Sequence, residues 1–157
     1  MTLVLRSLDD ADLDDLFEWE KDPRAVEMAA FTRADPSDRA AFDAHYERIR
    51  NDPTCTLLAI DDGDGLVGTV GSFTRYDDRE VTYWIAPARW GEGLATAALN
   101  AFLGVKTTRP LLARVAEHNV GSATVLVRAG FVQIGSATSY AEGVGREVVE
   151  HIYRLAR

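Results

Sequence analysis

The chain has 157 residues, of which 46% are hydrophobic, and its formal net charge is −8. This length and composition predict a single globular domain over residues 1–157. The acidic balance argues against a nucleic-acid-binding protein, because such proteins cluster Lys and Arg on the surface that meets the phosphates. It is compatible with attraction of a cationic substrate such as an amine, or with solubility alone.

The single cysteine, Cys55, allows neither an intrachain disulfide nor a cysteine-based metal cluster. The three histidines show no metal-ligand spacing, so we expect no bound metal. The N-terminal residues lack the pattern of a signal peptide, and no apolar run is long enough to span a bilayer. We therefore expect a cytoplasmic protein that binds no membrane and is a monomer or a homodimer.

The chain begins with a short predicted strand, Leu3–Arg6, followed by a helix. Ser7 and Asp10 resemble a capping box that would begin this helix, which should end near Lys21. Met28–Thr32 fits no clear pattern.

A second helix is predicted to begin at Pro36 and Ser37, where Phe42 and Tyr46 share one face. Pro53 ends it, and the pattern then changes from a helical period to extended apolar runs.

Three strands joined by short turns follow. They are Thr54–Ile60, Leu66–Thr74 and Arg79–Ile85, separated by turns at Asp61–Gly65 and Tyr76–Asp78. Connections this short predict that the three strands are antiparallel.

The C-terminal half alternates helices and strands. A helix follows Trp90–Gly93, then come the strand Leu111–Val115, the helix Asn119–Ala129, and the strands Phe131–Ala137 and Val148–Leu155. The predicted inward positions of the two helices are Leu94, Ala98, Phe102 and Val105, and Val120, Ala123, Leu126 and Val127. This order predicts an α/β sheet with antiparallel and parallel parts.

The most informative stretch is the turn that joins the strand ending at Ile85 to the next helix. Gly91 and Gly93 lack a Cβ, so an anion can approach the backbone closely, and Ala95 keeps the next turn of the helix slim. The first N–H groups of a helix have no intrahelical partner and lie at the positive end of its dipole. The turn is therefore a candidate phosphate or pyrophosphate site.

Other phosphate motifs fit this turn less well. The Walker loop, with Lys and Ser or Thr after its second glycine, is absent. A dinucleotide fingerprint would need Gly or Ala where Thr96 stands, although Glu117 lies about where an acidic ribose ligand would. A plain helix start remains an alternative.

The sequence Trp90-Gly91-Glu92-Gly93-Leu94-Ala95-Thr96 resembles the coenzyme-binding signature of the GCN5-related N-acetyltransferase (GNAT) superfamily. Trp90 replaces the usual Gln or Arg, as in the ribosomal-protein alanine acetyltransferase branch. A second block, Asn119–Ser122 followed by Val125–Phe131, resembles the family's Asn-x-x-Ser helix ending in Gly-Phe. The strand Glu147–Leu155 resembles the family's last strand.

The resemblance implies an α/β, single-domain GNAT-like fold, with a mixed central sheet of about six to seven strands and helices on both faces. It implies that acetyl-CoA is the cosubstrate and that a primary amine, on a peptide N-terminus or a small molecule, attacks it directly in a ternary complex. No metal takes part.

The resemblance also implies coenzyme-binding residues along the turn and the second block. Trp84, Ile85 and Ala86 would pair through their backbone with the pantetheine arm. The expected pyrophosphate site is the segment Trp90, Gly91, Glu92, Gly93, Leu94 and Ala95. Thr96 would add a hydroxyl, Arg89 a phosphate contact or only a solvated charge, and Asn119 a bond to the pantetheine amides or a helix cap.

Two residues are candidates for the chemistry. Glu80 would be the general base, directly or through water, and Ser122 would protonate or orient the leaving thiolate. A solvent-facing strand glutamate and a helix-capping serine are the alternatives. The family's usual tyrosine acid is replaced here by Leu126. Tyr83, Trp84 and Trp19 are candidates for the acceptor pocket, or core residues.

Acetyl transfer to an amine is thus the leading functional hypothesis. A non-catalytic acyl-CoA-binding module is the alternative, and a nucleotide-dependent enzyme that uses the Gly91–Gly93 turn is a third reading.

Overall fold

A seven-stranded mixed sheet forms the centre of the computed structural model, which describes residues 2–157. The strands are β1 (Val4–Ser7), β2 (Thr56–Asp61), β3 (Leu66–Arg75), β4 (Asp78–Ile85), β5 (Leu111–Ala116), β6 (Val132–Ala141) and β7 (Arg146–Leu155). Their order across the sheet is β1-β2-β3-β4-β5-β7-β6. Every neighbouring pair is antiparallel except β4 and β5, which are parallel. The predicted α/β class and the antiparallel β2–β3–β4 meander are confirmed.

Helices cover both faces of the sheet, as predicted. They are α1 (Asp10–Lys21), α2 (Pro23–Ala29), α3 (Arg39–Asn51), α4 (Leu94–Val105) and α5 (Val120–Arg128). Neighbouring residues of β2 contact different helices, because successive side chains of a strand point to opposite faces of the sheet. Ile60 packs with α4 and α5, whereas Ala59 packs with α1 and α3. No helix in the described part of the chain is both long and apolar enough to cross a membrane.

The start of α1 corrects the predicted capping box. Ser7 is still part of β1 and pairs with Leu58, so it does not cap the helix. The cap is Asp9, whose N–H donates to the Asp12 carboxylate at 2.8 Å. The prediction was wrong by two residues because β1 extends further than its apolar pattern.

Helix α2 was not predicted, although the sequence carries its start signal. Asp22 caps the helix by accepting from the Arg24 N–H at 2.9 Å, and Pro23 occupies the first helical position. Only Ala25 of this helix is buried, so it shows no apolar stripe.

Three predicted core positions are wrong. Val105, Val120 and Val127 are 64%, 68% and 59% exposed. Val105 is the last residue of α4. In α5 only Leu126 is fully buried, while Ala123 and Val125 pack against the core. Leu94, Ala98 and Phe102 are buried as predicted.

The last hairpin is longer than predicted. β6 and β7 pair out to Ala141 and Arg146, beyond the predicted strand ends at Ala137 and Val148. The hairpin tip extends beyond the other strands and meets α2, where the Gly143 N–H donates to the Ala30 carbonyl at 3.1 Å.

The parallel pair β4 and β5 positions the site. Their ladder registers at one position, Glu80 with Leu112. Beyond it the strands diverge toward their C-terminal ends, which leaves the central sheet open between Ile85 and Val115. Open α/β sheets bind ligands at such carboxyl ends.

Candidate active site

A cleft of about 840 Å³ occupies the opening between β4 and β5. Helices α2, α4 and α5 contribute its walls. Most of the residues predicted for the site line it, namely Glu80, Trp84, Ile85, Arg89, Trp90, Gly91, Gly93, Ala95, Thr96, Asn119 and Ser122. Ala86, Glu92 and Leu94 do not line the cleft, and the side chain of Leu94 is buried in the core.

The glycine turn at one end of the cleft leaves its backbone donors unused. Gly91 and Gly93 have φ of 82° and 77°, in the left-handed region that favours glycine. Within residues 2–157, none of the N–H groups from Gly91 to Ala95 has a protein acceptor. A Cβ on either glycine would meet no protein atom within 4 Å, so the space in front of the turn is open. Free amides at a helix N-terminus form an anion-binding site.

Trp90 fixes the peptide group of Ile85 at the edge of the cleft. The indole Nε1–H of Trp90 donates to the Ile85 carbonyl at 2.9 Å. The N–H and C=O of one strand residue point to the same side, so the Ile85 N–H also faces the opening. Both backbone groups of Ala86 are used inside the protein, since its N–H donates to Val67 and its carbonyl accepts from Arg89. Pairing with a pantetheine arm is therefore left to Ile85 rather than to Ala86.

Arg89 is held by acidic side chains. Its Nε donates to Glu92 at 3.0 Å and its Nη1 donates to Asp62 at 2.9 Å. These two carboxylates raise the pKa of the guanidinium, the Glu92 contact being the larger cause. Arg89 is thus fixed beside the glycine turn. It is neither free to clamp a phosphate nor a fully solvated side chain.

Asn119 caps α5, one of the two expected roles. Its Oδ1 accepts from the Ser122 N–H at 3.2 Å. Its Nδ2 donates to no group in the described chain, so the amide can still donate to a ligand in the cleft. The two expected roles are compatible.

Ser122 is hydrogen-bonded to Tyr83. The Tyr83 hydroxyl oxygen lies 2.8 Å from Ser122 Oγ, and the hydroxyl donates to the Ser122 carbonyl at 3.0 Å. Burial raises the pKa of Tyr83 to about 12, so the phenol remains protonated at neutral pH. Both side chains line the cleft beneath α5.

Glu80 lies at the point where β4 and β5 separate. It is 3% exposed, and its carboxylate lies 3.3 Å from Arg114 Nε and 3.9 Å from Arg75 Nε. Burial raises the pKa of Glu80, and the two arginines partly oppose that shift. A buried carboxylate with a raised pKa in a cleft has the properties of a general base.

The two candidate groups approach the cleft from opposite faces of the sheet. Glu80 and Trp84 alternate with Tyr83 along β4. Tyr83 packs with α4 and α5, on the side of Ser122. Glu80 lies on the other face with Arg114, beside the wall formed by α2. The opening in the sheet therefore joins a side that carries the glycine turn and Ser122 to a side that carries Glu80.

Sequence reasoning missed the charged partners of Glu80. Arg75, Arg114 and Glu150 line the cleft, and no local motif marked them. Tyr83 was expected only as a pocket residue. Trp19 packs in the core between α1 and α3, which is the alternative considered for it.

The cleft fits a coenzyme A derivative. The turn offers free amides for a pyrophosphate, the Ile85 peptide and Asn119 offer partners for the pantetheine amides, and the opening leads from one to the other. No group of three or more His, Cys, Asp or Glu side chains that could hold a metal occurs in residues 2–157.

The sequence model of the acetyltransferase (GNAT) domain matches residues 2–132. No curated protein matches the chain. The fold is similar to the spermidine N-acetyltransferase of Vibrio cholerae in complex with CoA and spermine, with a TM-score of 0.83, 20% identity, and coverage of 98% of this chain and 95% of that one.

Two further solved structures are similar. The phosphinothricin acetyltransferase of Sinorhizobium meliloti in complex with AcCoA has a TM-score of 0.80 at 19% identity, covering 99% of this chain and 89% of that one. The ribosomal-protein-alanine N-acetyltransferase of Brucella melitensis has a TM-score of 0.75 at 19% identity, covering 98% and 99%. At these identities the likeness is one of fold.

Proposed function

Because the chain belongs to the GNAT acetyltransferase family, we propose that it transfers an acetyl group from acetyl-CoA to a primary amine by direct attack in a ternary complex. The amine is a peptide N-terminus or a small molecule. The observation that carries this proposal is the row of unpaired amides from Gly91 to Ala95, which opens into a cleft that also contains Ser122 and Glu80.

The coenzyme is held mainly by backbone groups. The amides of the segment Gly91–Ala95 bind the pyrophosphate, and Trp90 and the Thr96 hydroxyl lie beside them. The Ile85 carbonyl, through its second lone pair, and the Asn119 side-chain amide bind the pantetheine arm. Trp84 lines the cleft beside Ile85, and Arg89, whose charge is offset by Glu92 and Asp62, is bonded to the turn itself.

Acetyl-CoA supplies an activated acetyl thioester, and the chain supplies the groups that polarise it and move protons. The Ile85 N–H donates to the thioester oxygen, where negative charge develops during attack. Glu80 accepts a proton from the amine nitrogen, directly or through water, while the C–N bond forms. Ser122 donates to the sulfur as the C–S bond breaks, and Tyr83 holds the serine hydroxyl in place.

Within the family we place the chain nearest the ribosomal-protein alanine acetyltransferase branch. The Trp-Gly-x-Gly-x-Ala-Thr sequence at Trp90–Thr96 supports this placement. The similar structures are those of acetyltransferases for different amines, so they do not indicate which amine this chain acetylates. We also infer that residues 1–157 form one acetyltransferase domain.

The direct test of this function is release of free thiol from acetyl-CoA in the presence of an amine panel. The proposal predicts amine-dependent thiol release and an acetylated product of matching mass. Coenzyme binding without turnover of any amine would instead favour an acyl-CoA-binding module.

The Glu80→Gln variant tests the base. General-base catalysis contributes about a hundredfold or more, so we expect kcat to fall by that order with little change in acetyl-CoA affinity. The carboxylate is the active form, and burial raises its pKa. In the wild type, kcat should therefore fall with decreasing pH at values above the ordinary glutamate range of about 4.3.

The matched control is Glu147→Gln, an exposed glutamate of β7 that does not line the cleft. It should leave kcat and the pH profile unchanged. If kcat of Glu80→Gln falls at low pH in the same way as kcat of the wild type, another group is the base.

A further inference from the structure

Four charged side chains form an alternating row on the face of the sheet that carries Glu80. Glu150 lies 3.5 Å from Arg114, Arg114 lies 3.3 Å from Glu80, and Glu80 lies 3.9 Å from Arg75. All four line the cleft beside α2, on the side from which an acceptor would reach Glu80. The row is neutral in sum, although the whole chain carries −8.

The two ends of the row carry opposite charges. Each inner member has opposite charges on both sides, whereas Glu150 and Arg75 each have one partner in the row. Arg75 is the less satisfied end, since its contact with Glu80 is long and its side chain is 45% exposed. The row therefore presents a negative end at Glu150 and a positive end at Arg75.

Beyond the row, two more arginines line the cleft, Arg128 on α5 and Arg89, whose charge is offset by Glu92 and Asp62. A polyamine would bring several ammonium groups into this lining. At least one of them would lie near an arginine, and like charges in a partly desolvated site repel strongly.

An amine that carries its own anionic group complements the row. Its ammonium would lie at the carboxylates of Glu80 and Glu150, and its anion would lie at the Arg75 guanidinium, which binds carboxylates in a bidentate geometry.

We infer that the acceptor is a zwitterionic amine with a carboxylate or similar anion near the reacting nitrogen, and that Arg75 binds this anion. The inference rests on the proposed acetyl transfer and narrows its substrate class. Neutral monoamines, polyamines and peptide N-termini without an acidic group near the amine are then poor acceptors of the same enzyme.

Matched acceptor pairs that differ only in the carboxylate test the inference. Suitable pairs are methionine and 3-(methylthio)propylamine, phenylalanine and phenethylamine, and tryptophan and tryptamine, with spermidine as the polyamine. The wild type should show a kcat/KM about tenfold or more higher for a carboxylated member than for its decarboxylated counterpart, since a charge-assisted contact contributes about that factor.

The Arg75→Gln variant should reduce that ratio about tenfold, mainly through the KM of the carboxylated member. The control is Arg48→Gln, an exposed arginine of α3 outside the cleft, which should keep the wild-type ratio.

Preference for decarboxylated amines or spermidine overturns the inference while leaving acetyl transfer intact. An unchanged ratio in Arg75→Gln overturns the role of Arg75. Turnover of other amines but of no carboxylated amine also overturns the inference. Absence of turnover with every amine, whether or not acetyl-CoA binds, would instead refute the proposed function, so the two failures are distinguishable.

Discussion

At the scale of single residues, the site depends on contacts between side chains distant in sequence. Tyr83 and Ser122 are 39 residues apart and meet because α5 packs over β4. The tyrosine that the family resemblance places on α5 is Leu126 here, which is completely buried in the core. Tyr83 thus brings a phenol to the same helix from a strand, and its hydrogen bond fixes the serine hydroxyl.

Tyr83→Phe tests this positioning role. We expect kcat to fall about tenfold, as one hydrogen bond is lost, with little change in the KM for acetyl-CoA. Because the pKa of Tyr83 is about 12, the phenol does not titrate in the assay range, so the pH profile should keep its shape. The double variant Tyr83→Phe, Ser122→Ala should be little slower than Ser122→Ala, since both changes break one contact.

Tyr140→Phe provides the control, because Tyr140 is 56% exposed on β6 and lies outside the cleft. Additive losses in the double variant, or a wild-type kcat in Tyr83→Phe, would show that the phenol does not act through Ser122.

The residues predictable from the sequence are those whose role is local. Gly91 and Gly93 are identifiable because a glycine-bearing turn before a helix is encoded within a few positions. Asn119 as a cap follows the same logic. Arg75, Arg114 and Glu150 could not be identified, because their proximity to Glu80 depends on sheet order and register across four strands.

At the scale of elements, the acceptor side is closed by α2 and the hairpin of β6 and β7. Arg146 pairs with Glu27 at 2.7 Å, and the Gly143 N–H donates to Ala30. These contacts hold α2 against the sheet, where Met28 and Thr32 line the cleft. Sequence periodicity missed α2 because this helix buries a single side chain, and it ended both strands of the hairpin short of the tip.

Gly143→Ala tests the contact between the hairpin and α2. A Cβ at this position would lie 2.7 Å from the Ala30 carbonyl and would overlap the Thr32 hydroxyl. One of the two elements must move, which costs about 1–3 kcal/mol of unfolding free energy. We expect a lower melting temperature and a higher KM for the amine, with little change for acetyl-CoA.

Gly135→Ala in the same hairpin is the matched control, because a Cβ there meets no atom within 4 Å. It should leave melting temperature and both KM values near wild type. An unaltered amine KM in Gly143→Ala would contradict the role of α2 as an acceptor wall.

At the scale of the whole molecule, the divergence of β4 and β5 lets one sheet serve two substrates. One register position joins the strands, at Glu80 and Leu112. The glycine turn and Ser122 lie on the side of α4 and α5, and the charged row lies on the side of α2. The sequence predicts a sheet with antiparallel and parallel parts, without indicating which strands are parallel. It did not predict where the pair separates, because register depends on packing across the sheet.

The most direct test of the account is a calorimetric titration of acetyl-CoA into Gly93→Glu and Gly104→Glu. Gly93→Glu places a carboxylate at the turn before α4, and Gly104→Glu places one near the opposite end of the same helix. A Cβ at either position meets no atom within 4 Å. Loss of several amide contacts and the added like charge predict about hundredfold weaker binding for Gly93→Glu. Gly104→Glu should bind as the wild type does. Wild-type affinity in Gly93→Glu, or equal weakening in both variants, would contradict a coenzyme site at the turn.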